Sequence, residues 1–135
     1  MPSSARALIE TGPLAHLVTL NADGSPHVTI VWVGLDGDEL VVGKLMTDQK
    51  VANLRRDPRV SLSFEAEGED HGMRHYLVVD GTARVEEGGA PELLQRLAET
   101  YVGPGVRFPP MDDPPAGFTI RITPEKVRGS GPWNS

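Results

Sequence analysis

The sequence predicts a small, mainly β protein: a β-barrel of six to seven mostly antiparallel strands with short helices. Three observations carry this expectation. Apolar residues alternate with polar ones at Val60, Leu62 and Phe64, and again at Phe118, Ile120 and Ile122, the period of a half-buried strand. Asp-Gly turns at 23–24 and 36–37 join strand-like runs so tightly that their neighbours must be antiparallel. Helical periodicity is confined to short segments, which disfavours an all-helical or doubly wound fold.

The elements follow in order. Residues 3–11 read as a short helix capped by Ser3 or Ser4, with Ala5, Leu8 and Ile9 on one stripe and Gly12-Pro13 as its stop. "LAHLVTL" (14–20), "PHVTIVWVGL" (26–35) and "LVVGKLM" (40–46) then form a meander of three strands joined by two tight turns. Pro26 suits the first position of its strand. Residues 48–56 switch to helical period, with Thr47 or Asp48 as cap and Pro58 just beyond the end. "RVSLSFEA" (59–66) is a fourth strand, the polar "EGEDHG" (67–72) a loop, and 74–87 a long strand that Gly81 bends or bulges. Residues 90–102 form a helix that buries Leu93, Leu94 and Leu97, 103–117 an irregular Pro- and Gly-rich loop, and 117–131 the closing strand.

Composition narrows the function. At 135 residues the chain is expected to be one domain, 1–135, with a core of its own. The absence of cysteine removes disulfides, thiolate metal sites and cysteine nucleophiles, and fits a reducing cytoplasm. No apolar run approaches the length of a membrane span, and "MPSSARALIETG" lacks the apolar stretch of a signal peptide, so a cytoplasmic protein without membrane association is expected. A net charge of −6 argues against nucleic acid as a partner.

Against that acidic background, five of the 13 Lys and Arg residues (Lys44, Lys50, Arg55, Arg56 and Arg59) fall within 43–60. A strand ending near Met46 runs here into a helix whose first-turn N–H groups have no internal partner and attract anions. Lys50 lies in that first turn, Lys44 comes from the strand, and Thr47 and Gln49 supply further donors. One reading is a phosphate site; the other is a solvated helix face balanced by Asp48 and Asp57.

Other chemistry is thinly represented. His71 and His75 are four apart but straddle Gly72 in a loop-to-strand segment, so no metal site is expected. His16 and His27 are lone strand residues, and Ser25 and Ser63 lack a nucleophile-elbow context. No glycine-rich phosphate loop is present. Trp32 belongs to the core or an interface. Trp133, near the C-terminus, is expected to dock on a partner subunit or a ligand.

Residues 14–65 resemble the pyridoxamine-phosphate-oxidase-like family of FMN-binding split β-barrels, which bind flavin or deazaflavin. The resemblance rests on the "DGSPHV" hairpin and on Lys50, Asn53, Leu54, Asp57, Pro58, Arg59 and Val60, which match K-x-x-N-L-x-x-[DN]-P-R-V, and it continues through "VVDGTARV" (78–85). Residues 13–43 contain no Lys or Arg, whereas FMN-dependent relatives carry a second-strand arginine. The short chain and "NLRRDPRV" look more like the branch that uses coenzyme F420, an 8-hydroxy-5-deazaflavin.

That resemblance implies a homodimer with the ring in a groove at the subunit interface and the phosphate near the strand–helix corner. The implied cofactor-binding residues are Thr29, Val31, Lys44, Met46, Thr47, Asp48, Gln49, Lys50, Asn53 and Trp133. Thr29 and Val31 would face the ring or ribityl chain, and Arg55 and Arg56 the oligoglutamate tail or solvent. Asp48 departs from relatives that are basic there. The implied activity is an F420H2-dependent reductase for an unsaturated small-molecule acceptor, with the hydride supplied by the cofactor. An FMN-binding oxidoreductase or a non-catalytic F420 or flavin carrier are the alternatives. His27, Tyr76 and Tyr101 are the candidates for supplying a proton, and no catalytic residue is assigned.

Overall fold

Only Trp32 and Val33 separate two strands that lie at opposite ends of the sheet. The computed structural model describes residues 1–134. It contains α1 (Ser3–Glu10), β1 (Ala15–Leu20), β2 (Pro26–Val31), β3 (Gly34–Asp36), β4 (Glu39–Lys44) and α2 (Gln49–Arg56). These are followed by β5 (Arg59–Asp70), β6 (Met73–Glu87), α3 (Ala90–Tyr101) and β7 (Phe118–Ser130). The seven strands form one sheet in the order β2-β1-β5-β6-β7-β4-β3, antiparallel at every neighbouring pair. Laid flat, such a sheet would be about 29 Å wide. The link from Val31 to Gly34 spans at most about 11 Å. The sheet therefore curls until its ends meet, giving a barrel left open between β2 and β3. This is a split β-barrel.

That topology corrects the expected meander. Residues 26–35 are two strands, and β2 pairs with β1 while β3 pairs with β4. The break has a local cause. The Val33 side chain is buried, and its N–H donates to the Tyr101 hydroxyl at 3.0 Å, which itself donates to the Pro13 carbonyl at 2.8 Å. The backbone donor of Val33 thus goes to α3 and not to a neighbouring strand. A β-branched run signals extended backbone but not a change of partner.

A second correction concerns 67–72. The chain continues as β5 to Asp70 and returns as β6 from Met73, with His71 and Gly72 as a two-residue turn at φ 53° and 83°. Its polar composition reflects strands exposed on both faces, so the absence of an apolar side made them look like a loop. The turn at α1 also differs: Pro2 is the N-cap residue, and neither Ser3 nor Ser4 caps the helix. Gly81 lies where the β6–β7 register shifts, and a Cβ there would meet the Thr123 carbonyl oxygen at 2.2 Å. The bulge anticipated there is present.

The barrel interior is filled by alternating residues of every long strand, among them Leu17, Leu40, Leu62, Phe64, Leu77 and Ile120. Ile9 of α1 and Leu54 of α2 complete the cluster. α3 packs on β3 through buried Leu97 and on β4 through Leu93 and Leu94, which are half-buried. Close approach there depends on glycine: a Cβ on Gly34 would come within 2.7 Å of Leu97 Cδ2.

If the Tyr101 hydroxyl holds the strand break, Tyr101→Phe leaves the buried Val33 N–H without a partner. Urea unfolding is expected to show a loss of about 1–3 kcal/mol. An unchanged unfolding curve would mean that the break is held by packing alone.

Candidate functional site

The corner between β4 and α2 gathers Lys44, Asp48 and Lys50. Asp48 is the N-cap of α2, with extended backbone, and its Oδ1 accepts the Val51 N–H at 3.2 Å. Its Oδ2 accepts from Lys50 Nζ at 2.7 Å and pairs with Lys44 Nζ at 2.9 Å. Lys50 is 5% exposed, a rare environment for lysine, whose charge must be compensated when water is excluded. Burial pushes the Asp48 carboxyl up, but the hydrogen bonds from Lys50, Lys44 and the Val51 amide outweigh it and leave the group below its ordinary range.

The remaining cations of the basic span are engaged elsewhere. Arg59 binds Asp57 at 2.8 Å, and the neighbouring guanidinium holds Asp57 down at about 2. Arg56 donates to the Leu20 carbonyl and the Asn53 side chain. Arg55 lies over the Phe118 ring at 5.2 Å. Both readings of the span thus have a physical basis: the C-terminal half of α2 is a balanced surface, and the N-terminal corner is a buried ammonium with one carboxylate.

Asn53 is fully buried. Its Nδ2 donates to Thr19 Oγ1 at 3.1 Å and Asn21 Oδ1 at 3.0 Å, and its Oδ1 accepts from Gln49 Nε2 at 2.8 Å. With Arg56 also on Oδ1, its donors and acceptor are all occupied by protein. Asn53 is therefore a positioning residue that ties α2 to β1 and its turn, with no polar group left for a ligand. Gln49 serves the same network, while Met46 and Thr47 are exposed.

A groove of about 540 Å³ opens beside this corner, walled by Val31, Trp32, Leu45, Leu94 and Phe108 and reached by Lys44 and Lys50. Trp32 stacks on Tyr101 at 5.4 Å between ring centroids and meets Phe108 at 5.1 Å. Phe108 was not foreseen as a wall. It sits in the irregular 103–117 segment, which carries no period from which its direction could be read.

On β2, His27, Thr29 and Val31 stand opposite Thr19, Leu17 and Ala15, so they share the inward face. His27 Nδ1 and Thr29 Oγ1 are buried without a hydrogen-bond partner among the described residues. Native proteins seldom leave such atoms unpaired, and a ligand is one way to satisfy them.

A larger cavity, about 970 Å³, lies between α1, the β5–β6 hairpin and the C-terminus, and shares Leu14 and Ile30 with the first. It lacks a buried cation, so the smaller groove is the better anion site. Trp133 belongs to this second cavity. Its indole N–H donates to the Tyr76 carbonyl at 2.9 Å, and it is 7% exposed. It docks on its own chain, and the structure does not bring it to the β4–α2 corner. Tyr101 is occupied by Pro13 and Val33, and burial pushes its hydroxyl up. Tyr76 is 41% exposed. Of the three proton candidates, only His27 has a buried, unpaired ring nitrogen.

Because the Asp48 carboxyl is lowered on folding, its contribution is complete above the unfolded value near 3.9 and disappears as pH falls through the folded value. Asp48→Asn is thus expected to be less stable than the wild type at pH 7, and the gap to close below about pH 4. Urea unfolding across this range checks it; a gap independent of pH would mean that shape, not charge, is what the carboxylate contributes.

The chain is matched over residues 1–131 by the family model described as pyridoxamine 5'-phosphate oxidase. An F420 reductase of known structure is 25% identical, with a TM-score of 0.76, and the match covers 95% of this chain and 98% of that one. A conserved hypothetical protein of Mycobacterium tuberculosis is 26% identical, with a TM-score of 0.73 and coverage of 99% and 85%. HupZ of Group A Streptococcus, at 18% identity, a TM-score of 0.68 and coverage of 100% and 98%, shares the fold alone. No curated protein matches the sequence. Together with the split barrel, the match over nearly the whole sequence establishes that this chain belongs to the pyridoxamine 5'-phosphate oxidase family.

Proposed function

We propose that the protein is a reductase that uses reduced coenzyme F420 to reduce an unsaturated small-molecule acceptor, and that it works as a homodimer. The observation that carries this reading is Lys50, an ammonium 95% withdrawn from solvent at the mouth of an apolar groove, with one carboxylate for its three protons. The residues present fit a ring cofactor with a phosphate tail. Lys50 and Lys44 would hold the phosphate, and Trp32 and Phe108 wall a space for the ring. Likeness to an F420 reductase along nearly the full length of both chains supports a deazaflavin over a flavin. So does the lack of Lys and Arg over residues 13–43.

Reduced F420 supplies a hydride when bound. The chain's part is to bind, orient and exclude water. The apolar walls keep water from the groove, and the lysine corner fixes one end of the ligand. The homodimer reading rests on Leu14, just before β1, and on Val28 and Ile30 of β2, which are 54%, 55% and 60% exposed. Leu14 and Ile30 border both cavities, so a second copy on this face buries them and closes the groove.

Fluorescence titration with oxidised F420 and with FMN tests the cofactor. Saturable low-micromolar binding of F420, with FMN weaker, is the expected result; the reverse would move the protein to FMN-dependent oxidoreductase chemistry. Binding without turnover of any acceptor under F420H2 would make it a carrier. Lys50→Met is expected to weaken F420 binding by roughly 1.5–3 kcal/mol with the circular dichroism unchanged; equal affinity would remove the phosphate from this corner. Ile30→Asp is expected to convert the dimer to a monomer by light scattering, and a dimer that tolerates it would place the interface elsewhere.

A further inference from the structure

We infer that Asp48 tunes the β4–α2 corner to a phosphodiester and against a phosphomonoester. This rests on the cofactor reading above and concerns the charge of the phosphate, not the identity of the ring. The two ammonium groups of Lys44 and Lys50 converge on one carboxylate, at 2.9 and 2.7 Å, so the corner carries a single net positive charge. The same carboxylate takes the Val51 N–H, one of the helix-end donors that an incoming anion would otherwise use. Arg55 and Arg56 do not pair with Asp48: Arg55 lies over the Phe118 ring at 5.2 Å, and Arg56 is held by the Leu20 carbonyl and the Asn53 side chain.

A phosphodiester carries one negative charge at neutral pH. A terminal monoester carries about 1.5 to 2, because its second ionisation lies near pH 6. The phosphate of F420 links two groups and is a diester, whereas that of FMN is a terminal monoester. A diester neutralises the corner. A monoester brings its second charge against the Asp48 carboxylate, whose side chain is 30% exposed, so water screens the repulsion only in part. Relatives that are basic at this position would carry the opposite bias. Asp48 is thus a specificity residue whose effect is on which phosphate binds, and its capping of α2 is a separate, structural role.

The test isolates phosphate charge from ring chemistry. Four probes are titrated by fluorescence: FMN and its phosphate methyl ester, and the 5'-phosphate of 8-hydroxy-5-deazariboflavin and its methyl ester. Each pair shares a ring and ribityl chain and differs by one ionisable oxygen. In the wild type the methyl ester is expected to bind more tightly than the free phosphate of the same ring. In Asp48→Asn, which keeps a capping side chain, the ratio is expected to move toward the free phosphate by about tenfold. Asp48→Ser provides the same test should the asparagine variant fold poorly. A ratio unchanged by both variants, or a shift of both members of a pair alike, would overturn the inference. Preference between the rings reads the cofactor proposal separately, and absence of binding by all four probes would overturn both.

Discussion

The two-residue link between β2 and β3 is the constraint from which the rest of the molecule follows. It obliges the ends of the sheet to meet without letting them pair, because Val33 gives its N–H to Tyr101 and its side chain to the core. A sheet that closes without pairing leaves a seam, and the seam is where the groove lies. Val31 and Trp32 on one side and the β4–α2 corner on the other are its walls. Tyr101 thus does more than anchor α3. It fixes the angle at which Trp32 is presented to Phe108, and so the apolar floor of the groove.

The basic span divides the work of α2 between its two ends. At its C-terminal end the arginines find a carbonyl, an aromatic face and Asp57, contacts that stabilise a surface helix modestly. At its N-terminal end Lys50 is buried, where an ammonium without a counterion would be expensive. Asp48 supplies that counterion from the cap position, so a lysine can stay charged and buried before any ligand arrives. Asn53 then holds the helix against β1 with every polar group engaged, which keeps the lysine's position from depending on loops.

Much of this was legible in the sequence, for definable reasons. Period-two runs such as Val60, Leu62 and Phe64 locate strands because one face is buried, and the bulge at Gly81 follows from a glycine within such a run. The strand break at Trp32–Val33 was not legible, since the donor that causes it answers to a tyrosine 68 residues away. The β5–β6 hairpin was hidden for the opposite reason, having no buried face to write a period. At the corner, Lys44 and Lys50 stand out by charge, whereas Thr29 enters only through the family resemblance. The sequence did not reveal that Asn53 is fully engaged, that Trp133 docks on its own chain, or that Phe108 lines the groove. Each depends on a contact between distant segments.

Asp48 shows why a motif alone underdetermines a site. Read as a residue, it is a helix cap, and any of Ser, Thr, Asn or Asp would fill that role. Only the geometry adds that its second oxygen is shared by two lysines. A neutral cap would leave two positive charges facing the groove, and a basic residue three. A Ser, Thr or Asn cap keeps the bond to Val51 but gives up the counterion of Lys50, and a basic residue gives up both. The charge at this position therefore answers to the buried lysine as well as to whatever anion the corner meets, and a motif that records only the cap leaves the first of these out.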